Sequence, residues 1–141
     1  LPIAIPQRVQ PSLIAALQAT RLQSIVVVHC NHPQEIDAQV SDALQQLHRS
    51  GSWCLNQSVL LKGVNDQVET LVALSEALMA ARVQPYYLHL LDRVQGAAHF
   101  DLDQQHAIAL HTAMQAHLPG YAVPQLVVEQ AGQPSKTRVS P

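Results

Sequence analysis

Short apolar runs alternate with segments of helical periodicity along the whole of this 141-residue sequence. The runs lie at 24–30, 53–55, 86–91 and 123–129, with a further apolar run at 59–61. They are almost continuously apolar, which is typical of strands buried on both faces. Strands that alternate with helices predict an α/β fold with a parallel sheet and right-handed crossovers. Four such strands are too few to close a barrel, so we expect a small open sheet or the back portion of a (β/α) barrel.

Helix signals stand between the apolar runs. Pro11 begins the first predicted helix, and Pro33 with Glu35 predicts the first turn of the second helix, which ends at Gly51. Asn65 or Asp66 is expected to cap the third helix, and Asp101 or Asp103 the last.

Composition excludes several classes of function. The net charge of −2, without a basic stripe, gives no electrostatic basis for binding nucleic acid. No apolar run reaches membrane-spanning length. Two cysteines do not form a disulfide framework, so a cytoplasmic location is expected. Charged residues make up only 13% of the chain, which predicts that part of its surface faces other protein.

Polar residues gather where the predicted strands end. His29, Asn31 and His32 follow the first strand, Asn56 and Gln57 the second, Asp92 the third, and Glu129 ends the fourth. Because parallel strands end on the same side of a sheet, these groups are expected to converge on a ligand site.

A zinc site is one alternative for this edge of the sheet. His29, Cys30, His32 and Cys54 are zinc ligands by residue type, but their spacing matches no closed structural site. A small zinc hydrolase that uses His29, His32 and Asp92 remains an open alternative. Free cysteines are more often buried small apolar residues.

Lys136 lies in a tail rich in Gly, Pro and Ser. Such a lysine is usually solvated. The alternative is a lysine that forms a Schiff base with a carbonyl cofactor, which requires an amine able to lose its proton near neutral pH.

Four blocks together carry a family resemblance: HCNHPQEID, LNQSVLLKGVND, PYYLHLLDRVQGAAHF and LPGYAVPQLVVEQAGQPSK. In this order they resemble the C-terminal portion of the lysine 2,3-aminomutase family, and the second and third blocks are most similar to the branch that makes (R)-β-lysine for elongation factor P. The resemblance implies the C-terminal part of a partial TIM-type (β/α) barrel of the radical S-adenosylmethionine kind, with about four parallel strands and flanking helices. Residues 1–129 would be the back portion of the barrel and residues 130–141 the tail that carries the cofactor lysine.

The resemblance also implies a reaction, conversion of L-lysine to β-lysine, and three cofactors: pyridoxal phosphate, S-adenosylmethionine and a 4Fe–4S cluster. The C-x-x-x-C-x-x-C cluster motif would lie before Leu1, so this chain by itself is expected to be inactive and to self-associate through an unpaired sheet edge and an exposed apolar face. The alternative is a half-barrel that binds lysine or pyridoxal phosphate without turnover.

Site residues follow from the resemblance position by position. Lys136, in the PSK motif, matches the lysine that forms a Schiff base with pyridoxal phosphate. Asp92 and Glu129 match carboxylates that bind the side-chain ammonium of the substrate, although the stand-alone mutases carry Asp at the position of Glu129. His29 and Gln57 match positions near S-adenosylmethionine and the cofactor.

Overall fold

One mixed sheet spans the part of the chain that the computed structural model describes, which is residues 1–91, 103–128 and 135–141. Its strands are β1 (Ile25–Val28), β2 (Trp53–Leu60), β3 (Gln84–Leu90), β4 (Gln125–Val128) and β5 (Thr137–Arg138). They lie side by side in chain order, with β1 to β4 parallel and β5 antiparallel to β4. The predicted parallel α/β sheet is confirmed, and β5 is a strand that the sequence did not predict.

Helices connect the parallel strands. They are α1 (Pro11–Gln18), α2 (Ala38–Arg49), α3 (Val68–Ala80) and α4 (Gln104–His117), and short 3-10 helices lie at Pro6–Arg8, Pro33–Glu35 and Gly120–Ala122. Asp103 caps α4, because its carboxylate accepts a hydrogen bond of 2.8 Å from the backbone N–H of His106. None of the helices within the described ranges is long and apolar enough to cross a membrane.

The helices cover one face of the sheet. Burial alternates along β2, where Cys54, Asn56, Ser58 and Leu60 are buried and the intervening residues are more exposed. The buried side chains of the strands pack with α2, α3 and α4 in two apolar clusters, one containing Val28 and Leu44 and the other containing Leu88 and Met114. Burial of these side chains is the main stabilising contribution to the fold.

The opposite face of the sheet is more exposed, and we call it the open face. Register and alternation assign to it Ile25, Val27, Trp53, Leu55, Gln57, Val59, Tyr87 and His89. Trp53 is 62% exposed and Ile25 is 53% exposed, although both are large apolar residues. Parallel sheets normally have both faces covered. The one-sided arrangement is consistent with a section of a (β/α) barrel whose interior would be the open face.

Three local predictions were wrong. β2 is one continuous strand, so Asn56 and Gln57 lie within it and not at its end. Pro33 begins a separate 3-10 helix, and α2 starts only at Ala38, after the Asp37 cap. Asn65 does not cap α3: its side chain is fully buried and bonds to the backbone between the ends of β1 and β2. Asn56 and Asn65 resemble turn or cap residues in the sequence, but their side chains bond to backbone groups at the junction of β1 and β2.

Candidate functional site

A hydrogen-bonded pair of side chains lies in the C-terminal halves of β2 and β3. Gln57 and His89 both project from the open face, and His89 Nε2 lies 3.2 Å from Gln57 Oε1. The register pairs Gln57 with Tyr87 and Val59 with His89. Gln57 therefore lies directly opposite Tyr87 and diagonally opposite His89. The ring of His89 meets the ring of Tyr87 edge to face, with centroids 5.7 Å apart. An amide, an imidazole and a phenol are therefore fixed side by side.

A β-bulge in β3 brings a second tyrosine to the same face. Asn56 pairs with Pro85 and Gln57 pairs with Tyr87, so Tyr86 has no partner in β2. An unpaired extra residue puts two consecutive side chains on one side of a strand. The rings of Tyr86 and Tyr87 stack with centroids 3.8 Å apart, and their hydroxyls lie 3.0 Å apart, with Tyr86 donating. The hydrogen bond to Tyr87, with some desolvation, raises the pKa of Tyr86 above its ordinary value, although nearby Lys136 lowers it slightly.

Lys136 extends over the ring of Tyr87. β5 pairs Arg138 with Val127 and Thr137 with Val128, which brings the residue before β5 to the C-terminal end of the parallel strands. Lys136 Nζ lies 5.5 Å from the centroid of the Tyr87 ring, within the range of a cation–π contact. We refer to Gln57, Tyr86, Tyr87, His89 and Lys136 as the aromatic cluster.

The structure brings together two of the five predicted site residues, Lys136 and Gln57, through Tyr87 and His89. His29 follows β1 as an exposed residue between buried Val28 and Cys30. Asp92 and Glu129 lie outside the described residues; in sequence Asp92 is the second residue after β3 and Glu129 is the first residue after β4. The roles of all five residues stay predictions.

Tyr86, Tyr87 and His89 were not among the predicted site residues. A signal for them was present in the sequence, because Pro85 stands inside a strand that has neighbours on both sides. Proline has no N–H for the ladder, and within sheets it occurs mainly at edges, strand starts and bulges. A proline before two tyrosines therefore indicates the bulge that puts both rings on one face.

The polar residues after β1 have a different role. Asn56 accepts from the backbone N–H of Cys30 at 2.8 Å and donates to the carbonyl of Cys30 at 3.1 Å. Asn31 accepts from the N–H of Val59 at 2.8 Å, and Asn65 donates to the carbonyl of Asn31 at 2.8 Å. These bonds continue the pairing of β1 with β2 after β1 ends. We call Asn31, Asn56 and Asn65 the asparagine network; Asn31 and Asn56 do not join the aromatic cluster.

The surroundings of His32 and Cys30 do not favour the zinc alternative. His32 Nδ1 accepts from the N–H of Gln34 at 3.1 Å, and Glu35 Oε1 accepts from the N–H of His32 at 3.0 Å, so His32 is part of a capping box. Cys30 is fully buried, and burial, together with the nearby Glu35 charge, raises the pKa of its thiol to about 12. Among the described residues, no group of three or more His, Cys, Asp or Glu side chains could hold a metal ion.

Comparison with known proteins gives the family context of this geometry. No protein-family model matches the chain. An L-lysine 2,3-aminomutase of Haemophilus influenzae is 47% identical over 137 residues, which is 97% of this chain. Enzymes of that name from Escherichia coli and Buchnera aphidicola are 46% and 39% identical over 97% and 99% of the chain. By sequence, this chain is similar to L-lysine 2,3-aminomutases along nearly its whole length. It spans 40% of the length of the H. influenzae and E. coli relatives and 41% of the B. aphidicola relative.

Proposed function

We propose that this chain is the C-terminal part of an L-lysine 2,3-aminomutase that converts L-α-lysine to (R)-β-lysine with pyridoxal phosphate, S-adenosylmethionine and a 4Fe–4S cluster. Besides the similarity to these relatives, one structural observation supports the proposal. Lys136, the proposed cofactor lysine, has its amine over the Tyr87 ring on the open face, at the carboxyl end of the parallel strands. In (β/α) barrels this end of the strands bears the active site.

The aromatic cluster fits pyridoxal phosphate by its chemistry. The cofactor needs one amine to attach to, and its planar ring needs flat or hydrogen-bonding neighbours. Lys136 would supply the amine, while Tyr87, His89 and Gln57 are the adjacent flat and polar groups. When bound, pyridoxal phosphate supplies the carbonyl and conjugated ring through which an amino group can migrate between neighbouring carbons. The residues of this chain would hold the reacting groups in register.

His29 and Gln57 are proposed to contact S-adenosylmethionine, as the resemblance implies. Both have side chains suited to this, because His29 is exposed at the end of β1 and Gln57 lies on the open face. Gln57 Oε1 already pairs with His89 Nε2, so its amide N–H₂ group remains oriented by that bond. A fixed amide is a typical donor for a ligand hydroxyl or carboxylate.

The two cysteines of this chain do not fit an iron–sulfur cluster. Cluster ligands are thiolates. Cys30 and Cys54 are buried against the helices, and burial raises the pKa of both thiols. The cluster would therefore require cysteines from sequence outside this chain.

Asp92 and Glu129 are proposed to bind the side-chain ammonium of lysine. The support is positional, since in sequence Asp92 comes two residues after β3 and Glu129 comes one residue after β4. An ammonium removed from water without an anionic partner is costly, and two carboxylates would offset that cost and fix the substrate register. We further propose, from the LNQSVLLKGVND and PYYLHLLDRVQGAAHF blocks, that the product serves the modification of elongation factor P in the cytoplasm.

The proposal is tested with a protein extended to the full length of the relatives. The coding sequence before Leu1 should contain a C-x-x-x-C-x-x-C motif, and the anaerobically reconstituted protein should form β-lysine from L-lysine. Lys136→Ala should abolish product, whereas Lys62→Ala, the matched control, should retain it. A reconstituted protein that binds its cofactors and lysine without forming β-lysine would instead support the binding-module alternative.

We also propose that the chain by itself self-associates through the open face, where Trp53, Ile25 and Val27 are exposed. Sedimentation should detect dimers or larger species, and Trp53→Ser should reduce them. A monomer at all concentrations in both proteins would contradict this.

A further inference from the structure

The contact between Lys136 and Tyr87 depends on how the ring of Tyr87 is held. The stacked ring of Tyr86 lies beside it at 3.8 Å with an interplanar angle of 27°. The two hydroxyls are hydrogen-bonded at 3.0 Å, and the ring of His89 meets the Tyr87 ring at 71°. These contacts restrain the ring in one orientation, so the face that it offers to Lys136 is fixed.

A ring face suits an amine that must both stay in place and react. Aromatic faces attract an ammonium through the ring quadrupole, but more weakly than a desolvated carboxylate would. A ring also offers no strong acceptor that would compete for the amine. The bulge matters here, because without it Tyr86 and Tyr87 would point to opposite faces of β3.

We propose that Tyr87 is a positioning residue that holds the amine of Lys136 over the open face, with Tyr86 bracing its ring. This inference rests on the proposed function for its purpose, but the contact can be tested separately from it. The strength of a cation–π contact predicts that the ring raises the population of the held amine about two- to fivefold.

The chain allows a direct spectroscopic test, because Lys62 and Lys136 are its two lysines. Lysine labelled with ¹³C at the ε carbon gives two signals, with exposed Lys62 as the internal reference. We expect the ε protons of Lys136 to be shifted upfield by the ring current of Tyr87. Tyr87→Phe should keep the shift because it keeps the ring, whereas Tyr87→Leu should abolish it. Tyr121→Leu, at an exposed tyrosine outside the aromatic cluster, is the matched control and should leave the shift unchanged.

A second readout links the contact to the cofactor. In the full-length protein, pyridoxal phosphate trapped with borohydride should label Lys136 more than Lys62. The ratio should fall about two- to fivefold in Tyr87→Leu and stay unchanged in Tyr87→Phe, in line with the strength of the contact. A ring-dependent shift without any labelling of Lys136 would support the contact and contradict the proposed function.

Two results would overturn the positioning role. The first is equal loss of the shift in the Phe and Leu variants, which would assign the effect to the hydroxyl. The second is a Lys136 signal that is not displaced in the unmodified protein, which decides the matter even if Tyr87→Leu does not fold.

Discussion

The asparagine network and the aromatic cluster lie a few residues apart on the same strands, but their side chains bond differently. In the network, Asn56 and Asn65 are 1% and 0% exposed, and most of their bonds go to backbone N–H and carbonyl groups. In the aromatic cluster, Gln57, Tyr86, Tyr87 and His89 are partly exposed and contact one another. Side chains that complete the backbone stabilise a fold, whereas partly exposed polar side chains that contact one another on an open face are placed where a ligand can reach them.

The largest effect on stability is expected in the asparagine network. Asn65→Ala removes bonds to the Leu61 N–H and to the carbonyls of Asn31 and Val59, all near the buried junction of β1 and β2. We expect the free energy of unfolding to fall by about 3 kcal/mol, because buried backbone groups lose their partners. Urea unfolding measures this. A loss below about 0.5 kcal/mol would show that water replaces the Asn65 side chain. The asparagine network would then contribute no more to stability than the aromatic cluster does.

The second effect is pH-dependent and concerns Cys30, on the helix-covered face. Its folded pKa of about 12 lies above the ordinary value of 9.0, so the folded state retains the thiol proton where the unfolded state loses it. Stability from this group is complete below pH 9 and is lost as the pH rises from about 9 to about 12. The slope should approach about 1.4 kcal/mol per pH unit.

Cys30→Ala provides the control for that slope. The unfolding free energy of the variant should fall less steeply above pH 9 than that of the unmodified protein. Equal slopes in the two proteins would mean that the thiol is not held neutral by burial.

The smallest effect on stability is expected in the aromatic cluster. Gln57→Ala removes a partly exposed side chain whose partner is another side chain, so the unfolding free energy should change by less than about 0.5 kcal/mol. In the full-length protein the same variant should weaken binding of S-adenosylmethionine, measured by equilibrium dialysis. Asn56→Ala, its neighbour in β2, is the matched control and should show a large loss of stability. Equal stability losses in both variants would remove the distinction between the two regions.

Periodicity in the sequence predicts the parallel sheet and the helices between its strands, and Asp103 is one of two residues predicted to cap the last helix. Periodicity does not separate the two regions, because Asn56 and Gln57 are adjacent polar residues, and only register tells which of them is buried against the helices. The polar residues Asn56 and Gln57 also interrupt the apolar pattern of β2, so the sequence predicts two short runs where the structure has one strand. The return of the chain as β5 depends on long-range pairing, which local pattern does not encode, whereas the bulge at Tyr86 has a local signal in Pro85. The sequence resemblance, not periodicity, singled out Lys136.

The proposed cofactor site is tested most directly by identifying the lysine to which pyridoxal phosphate attaches. In the full-length protein, reduction with borohydride followed by peptide mapping should find the adduct on Lys136, with loss of the visible absorbance of the bound cofactor. Lys136→Ala should abolish the adduct and leave the unfolding free energy almost unchanged, as expected for a residue of the open face. An adduct on Lys62, with Lys136 unlabelled, would contradict the assignment of the aromatic cluster as the cofactor site.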